Sequence, residues 1–196
     1  MKVGVLAVQG AVQEHLDILK KAMSSLDISG SPIGVRRLED FQGVSALIIP
    51  GGESTTISKL LQKNSLFDLV REMAEEGMPI MGTCAGCILM AKEGDQAVAK
   101  TDTRLFSLMD MAVIRNAYGR QRESFEADLD ILGFNDTFRG VFIRAPAISR
   151  VWGGCSVLST FEDNIVMARQ DARFALAFHP ELSGDSRIHE LFLEQI

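Results

Sequence analysis

The sequence predicts an α/β fold: a single domain built on a doubly wound, mostly parallel sheet flanked by helices. Three observations predict it. Short apolar runs over residues 3–8 and 44–49 stop at glycine or proline, as strands buried on both faces do. Other segments carry apolar residues at spacings of three and four, the period of an amphipathic helix. The two kinds of segment alternate through the first half of the chain, which calls for parallel strands joined by crossover helices.

Each element follows in turn. Residues 3–8 form a strand closed by Gln9-Gly10, and residues 11–26 form a helix with Val12, Leu16, Leu19, Ala22, Met23 and Leu26 on one face. A second buried strand, 44–49, ends at Pro50-Gly51-Gly52. Residues 54–61 are helical, and Ser65 is placed to cap a helix over 66–76 that Gly77 stops. A short strand at 79–82 leads into a helix at 85–92. From about residue 104 the rhythm changes. Residues 111–115, 141–144, 156–160, 165–169 and 172–178 read as strands with short turns, and 185–195 as a closing helix. No repeat or linker divides the chain, so residues 1–196 are expected to be one domain whose second half adds strands to the same core.

Composition narrows the classes of function. The 196 residues are 46% apolar and 23% charged, an ordinary globular balance that argues against disorder. Twenty basic against 26 acidic residues give a net charge of −6, which offers no footprint for nucleic acid or an anionic membrane. The longest apolar runs, 87–91 and 174–178, fall far short of the ~20 residues a membrane span needs. The N-terminus reads as a strand rather than a signal peptide, so a soluble, cytoplasmic protein is expected.

The most informative segment is Pro79-Ile80-Met81-Gly82-Thr83-Cys84-Ala85-Gly86. A nucleophile flanked two residues away on each side by glycine, between a strand and a helix, matches the nucleophile elbow with cysteine in place of serine. A side chain at either glycine would strike the neighbouring strand or helix. A helix N-terminus and a nearby imidazolium can lower a thiol below its usual ~8.5. Two other readings stay open. Cys84 and Cys87 also form a C-x-x-C pair at a helix start, the mark of a thioredoxin-like dithiol, and a lone cysteine is often an inert core residue. A zinc site is poor, since Cys155 is the one further thiol.

A thiol nucleophile needs a base. His15 and His189 sit on helices beside polar neighbours and are expected at the surface. His179 ends the strand at 172–178 and precedes Pro180-Glu181. In extended backbone, residues two apart share a side, so Glu181 is placed to orient the His179 ring. Pro50-Gly51-Gly52-Glu53-Ser54-Thr55 follows a buried strand at the sheet edge where α/β proteins put their sites. The N–H groups of Gly52 and Ala85 are the expected oxyanion donors. A phosphate loop is disfavoured because no Walker pattern is present.

Together these residues resemble the class I (triad) glutamine amidotransferases, with their flavodoxin-like fold. Within that class they are similar to the glutaminase subunits of pyridoxal 5'-phosphate synthase. Residues 4–12, 50–56, 82–86, 115–121, 142–146 and 178–182 carry the resemblance, which runs over nearly the whole chain. It implies that Cys84 attacks the side-chain amide of L-glutamine, with His179 and Glu181 completing the triad and ammonia leaving a glutamyl thioester behind. It also implies glutamine binding by Gly52, Glu53, Ser54, Arg115, Ile143 and Arg144, with no cofactor and no metal. The partner implied is a separate synthase subunit that receives the ammonia and without which the glutaminase is poorly active. Departures are small: Cys87 replaces an aliphatic residue, and Leu105-Phe106-Ser107 stands where a Leu-Gly pair is common. A glutaminase for another acceptor and a glutamine-sensing module without catalysis remain as alternatives.

Overall fold

A computed structural model describes residues 1–119 and 123–196. The strands are β1 (Lys2–Leu6), β2 (Ser31–Val35), β3 (Val44–Ile49), β4 (Ile80–Thr83), β5 (Ala91–Gly94), β6 (Met109–Ile114), β7 (Ser124–Leu129), β8 (Phe138–Ile143), β9 (Ala147–Val151), β10 (Ser156–Phe161), β11 (Asn164–Gln170) and β12 (Arg173–Leu176). The helices are α1 (Val12–Ser25), α2 (Ser54–Lys63), α3 (Leu66–Glu75), α4 (Ala85–Met90), α5 (Gln96–Lys100) and α6 (Arg187–Leu193).

The main sheet runs β2-β1-β3-β4-β12-β11-β9-β6-β5, with β10 paired to β11. From β2 to β12 neighbouring strands are parallel. Beyond β12 the pairing turns antiparallel through β11, β9 and β6, and β5 rejoins in parallel. This is the α/β sheet the sequence predicts, with strands β2, β5 and β9 added and one difference in arrangement. The hairpin β7–β8 forms a separate two-stranded sheet instead of extending the main one.

The unbroken apolar run of β3 has a direct cause: both of its faces are covered. Leu47 and Ile49 pack into a core with Ile57 and Leu61 of α2 and Phe67 and Val70 of α3. Ala46 and Ile48 face the opposite core, with Leu19 and Met23 of α1 and Phe192 of α6. Burial on both sides removes the polar-apolar alternation of a half-exposed strand. Among the described residues no helix is long and apolar enough to cross a membrane.

Several local expectations are corrected. The helix after Cys84 stops at Met90, and Ala91 turns straight into β5. Ser65 precedes α3 in a left-handed conformation and makes no side-chain cap. His15 and His189, expected at the surface, are both fully buried. They lie on the inward faces of α1 and α6, where His15 is four residues from Leu19 and His189 three from Phe192.

Candidate active site

The parallel strands deliver their carboxyl ends to one edge of the sheet, and the site is built there. Four loops meet: Gln9 after β1, Gly51 to Glu53 after β3, Cys84 after β4 and His179 after β12. They line a cavity of about 550 Å³ with Ser54, Ala85, Arg115, Ile143 and Arg144 among its walls. That volume suits a small metabolite.

The elbow is tight at both flanks. A Cβ on Gly82 would stand 2.6 Å from the Gly86 backbone, and one on Gly86 would collide with the Ile49 carbonyl of β3. Only glycine lets strand, turn and helix close on one another here. Cys84 takes a φ of 48° and a ψ of −100°, a sparsely populated conformation for a residue with a Cβ. Its backbone N–H donates to the Leu176 carbonyl at 2.8 Å, which ties the turn to β12. The side chain is 8% exposed, and its thiol points weakly at the Ile143 carbonyl, 3.9 Å away. The β7–β8 hairpin therefore roofs the site.

His179 donates from Nδ1 to Glu181 Oε1 at 2.7 Å, and Glu181 is 6% exposed. A carboxylate is acceptor-only, so this bond fixes the His179 tautomer and leaves Nε2 for other work. The contact is reached differently from the extended segment expected. Pro180–Leu182 is a 3-10 turn with Pro180 at its first position, and the turn brings Glu181 back under the ring. Burial opposes charging of His179, but hydrogen bonds to Cys84 and Glu181, together with their charges, outweigh it and push the imidazole up to about 10. Gly51 makes room for the ring, since a Cβ there would collide with His179 Cε1 and stand 3.3 Å from Cys84 Cβ.

The wall opposite is a charge cluster. Glu53 accepts from the backbone N–H of Thr55 at 3.1 Å and of Thr56 at 2.6 Å, capping α2. Arg115 donates to Glu53 Oε1 at 2.5 Å and to the hydroxyls of Thr55 and Thr101. Partial burial works against the Glu53 charge, yet the Thr56 and Thr55 donors and the Arg115 guanidinium draw its carboxyl down to about 2. Arg115 is thus held on the cavity wall by a carboxylate of its own chain. Ser54 Oγ is buried beside this pair and has no hydrogen-bond partner among the described residues. Arg144 and Ile143 are exposed on the cavity rim, with Arg144 at a φ of 43°. Arg120 and Gln121 of the stretch 115–121 lie outside the described residues.

Three residues of the site escaped the sequence reading. Gln9 Oε1 accepts the Glu53 N–H at 2.9 Å and would stand 2.5 Å from a Cβ on Gly52, so it sets the loop after β3. Its position at the end of β1, on the same sheet edge, was the available signal. His15 and His189 form the second group, with His15 against Glu181 and His189 behind His15. The Cys84–Cys87 pair does not form a dithiol face. Cys87 is 0% exposed within the core, and burial, followed by the neighbouring Cys84 and Cys155, drives its thiol far above the ordinary range.

Comparisons with known proteins agree with this architecture. The profile of the SNO glutamine amidotransferase family matches residues 5–196. The pyridoxal 5'-phosphate synthase subunit PdxT of Archaeoglobus fulgidus is 52% identical over 194 residues, covering 99% of this chain and 98% of that protein. The subunit of the same name from Methanosarcina acetivorans is 47% identical over 196 residues, covering 100% and 98%. A crystal structure of a glutamine amidotransferase superposes with a TM-score of 0.87 at 45% identity, covering 98% of this chain and 97% of the other. A Thermotoga maritima glutamine amidotransferase shares the fold at a TM-score of 0.60 and 18% identity, covering 98% and 83%. The chain belongs to the SNO glutamine amidotransferase family.

Proposed function

We propose that this chain is the glutaminase subunit of a pyridoxal 5'-phosphate synthase, with residues 1–196 acting as one glutaminase unit in the cytoplasm. It hydrolyses L-glutamine and hands the ammonia to a separate synthase subunit. The observation that carries the chemistry is Cys84, held at a strained turn beside an imidazole that Glu181 orients.

In this reading Cys84 Sγ attacks the glutamine side-chain amide carbon, forming a C–S bond. The Gly52 and Ala85 N–H groups stabilise the oxyanion. His179 holds the thiol proton and gives it to the departing nitrogen, so ammonia leaves and a glutamyl thioester remains. Water then adds to the thioester, its proton passing through His179, and glutamate departs as the thiol is restored. Glu181 stays ionised throughout and stabilises the imidazolium.

Glutamine's α-amino and α-carboxylate groups are recognised by the wall of Glu53, Ser54 and Arg115, with Ile143 and Arg144 at the rim. The buried Ser54 hydroxyl and the opposed charges of Glu53 and Arg115 support that assignment. The PdxT relatives, each matched over nearly its whole length, support the synthase partner. Three free cysteines accord with a reducing compartment.

Glutamate release from glutamine, with and without the synthase subunit, tests the reading. Release that depends on Cys84 and rises with the partner is expected. Binding of glutamine with no glutamate formed, even with the partner present, would identify a sensing module instead.

A further inference from the structure

Behind the triad lies a buried pair of histidines that the mechanism above does not use. His15 Nε2 stands 3.1 Å from the hydroxyl of Thr83, the residue before Cys84, and 3.3 Å from Glu181 Oε2. The Thr83 contact has hydrogen-bond geometry. The Glu181 contact is off-axis, and Oε2 has no other partner among the described residues. On the other side of the ring, His15 Nδ1 lies 3.1 Å from His189 Nε2, and His189 Nδ1 is buried without a partner among the described residues.

Two contacts favour one arrangement of the protons. A carboxylate faces His15 Nε2, and a bare lone pair there would repel it, so Nε2 carries the hydrogen. His15 Nδ1 then accepts from His189 Nε2–H, which leaves His189 Nδ1 as a bare acceptor. The opposite arrangement would bury an unpaired N–H at that atom and leave Oε2 facing a lone pair. Burial, then His189 and His179, hold His15 well below its ordinary range, and burial alone takes His189 down to about 3.

We propose that His15 is a positioning residue: its Nε2–H, bonded to Thr83 and 3.3 Å off-axis from Glu181 Oε2, sets a dipole between the acid behind His179 and the strand that ends at the nucleophile. The inference rests on the glutaminase reading for its chemistry. Its physical logic is that a buried carboxylate is stabilised by N–H dipoles nearby, and His15 Nε2 stands 3.3 Å from the oxygen that His179 leaves unbonded. A cation behind Glu181 would neutralise the charge that stabilises the His179 imidazolium. A neutral N–H holds the carboxylate without quenching it, and His189 holds that N–H in the required tautomer.

The chain has only three histidines, so imidazole ¹⁵N NMR of the full-length wild-type protein reads each one. The expected spectrum shows His15 and His189 neutral with hydrogen on Nε2 at neutral pH. A charged His15, or one with hydrogen on Nδ1, overturns the proposal without any variant. The second arm measures glutamate release by the chain with its synthase partner. His15→Leu is expected to lower kcat by about ten- to a hundred-fold, the usual effect of losing an outer support, while KM barely moves. His15→Gln, whose amide N–H reaches the Nε2 position, is expected to recover most of kcat. The His179 titration falls in His15→Leu and is restored in His15→Gln. Full activity in a folded His15→Leu, or equal losses in both folded variants, overturns the proposal. Wild-type complex that releases no glutamate refutes the glutaminase reading, and the tautomer result still decides the role of His15.

Discussion

Glu53 and Arg115 meet at 2.5 Å on the cavity wall, and the same carboxylate caps α2 through two backbone N–H groups. The pair joins the loop after β3 to the loop after β6, so one carboxylate serves both the cavity wall and the start of α2. Arg115→Ala is expected to lower kcat/KM for glutamine by about ten- to a hundred-fold, the range of a charged hydrogen bond, mainly through KM. Steady-state kinetics with the synthase present check this.

The lowered Glu53 carboxyl gives a pH signature of defined sign. Its folded value, about 2, lies below the ordinary 4.5, so its charge stabilises the fold above about 4.5. That contribution is lost as pH falls toward 2. Denaturant midpoints of wild type and Glu53→Gln are expected to differ at neutral pH and to converge as the solution is acidified. A gap that widens in acid would contradict the assignment.

His179 has the opposite sign. With its imidazole raised from 6.5 to about 10, its contribution is complete below 6.5 and disappears as pH climbs through 10. His189, lowered to about 3, resists protonation when folded, so its burial costs stability as pH drops below 6.5 toward 3. Relative to wild type, His179→Gln is expected to lose least stability at the alkaline end. His189→Gln is expected to lose least at the acid end. Chemical unfolding across the pH range separates the two.

Two glycines separate stability from chemistry. Gly86→Ala drives a methyl into the Ile49 carbonyl, backbone that cannot swing aside, so a loss of about 3 kcal/mol or more is expected in unfolding. Gly51→Ala instead meets the His179 ring, which can be pushed out of place. That variant should fold and lose nearly all glutaminase activity. Paired melting and activity measurements check both outcomes.

The dithiol alternative is tested at Cys87. The side chain packs in the core, so Cys87→Ala is expected to cost about 1 kcal/mol, near the value of one buried methylene, and to keep glutaminase activity. A dithiol enzyme would lose its activity.

The parts of this fold legible in the sequence are those where one physical demand acts alone. β3 announces itself because both faces are covered, and the elbow because only glycine fits at 82 and 86. β2 is hidden because it lies at the sheet edge, where Pro32 and Gly34 are tolerated and the apolar pattern lapses. His15 and His189 are hidden by polar neighbours in sequence, although their helical spacing from Leu19 and Phe192 points inward. Glu181 reaches His179 through a 3-10 turn and not through the extended backbone that its i+2 spacing suggests. Arg115 shows the limit of residue chemistry: its own chain supplies a carboxylate for it, a long-range pairing that spacing does not reveal.

The central claim is that Cys84 carries the glutamyl group. Peptide mass mapping after reaction of the synthase-bound chain with a glutamine diazoketone analogue tests it most directly. One label per chain is expected, on the peptide containing Cys84, absent in Cys84→Ala and suppressed by excess glutamine. Label on Cys87 or Cys155, or glutamate release that persists in Cys84→Ala, would contradict it.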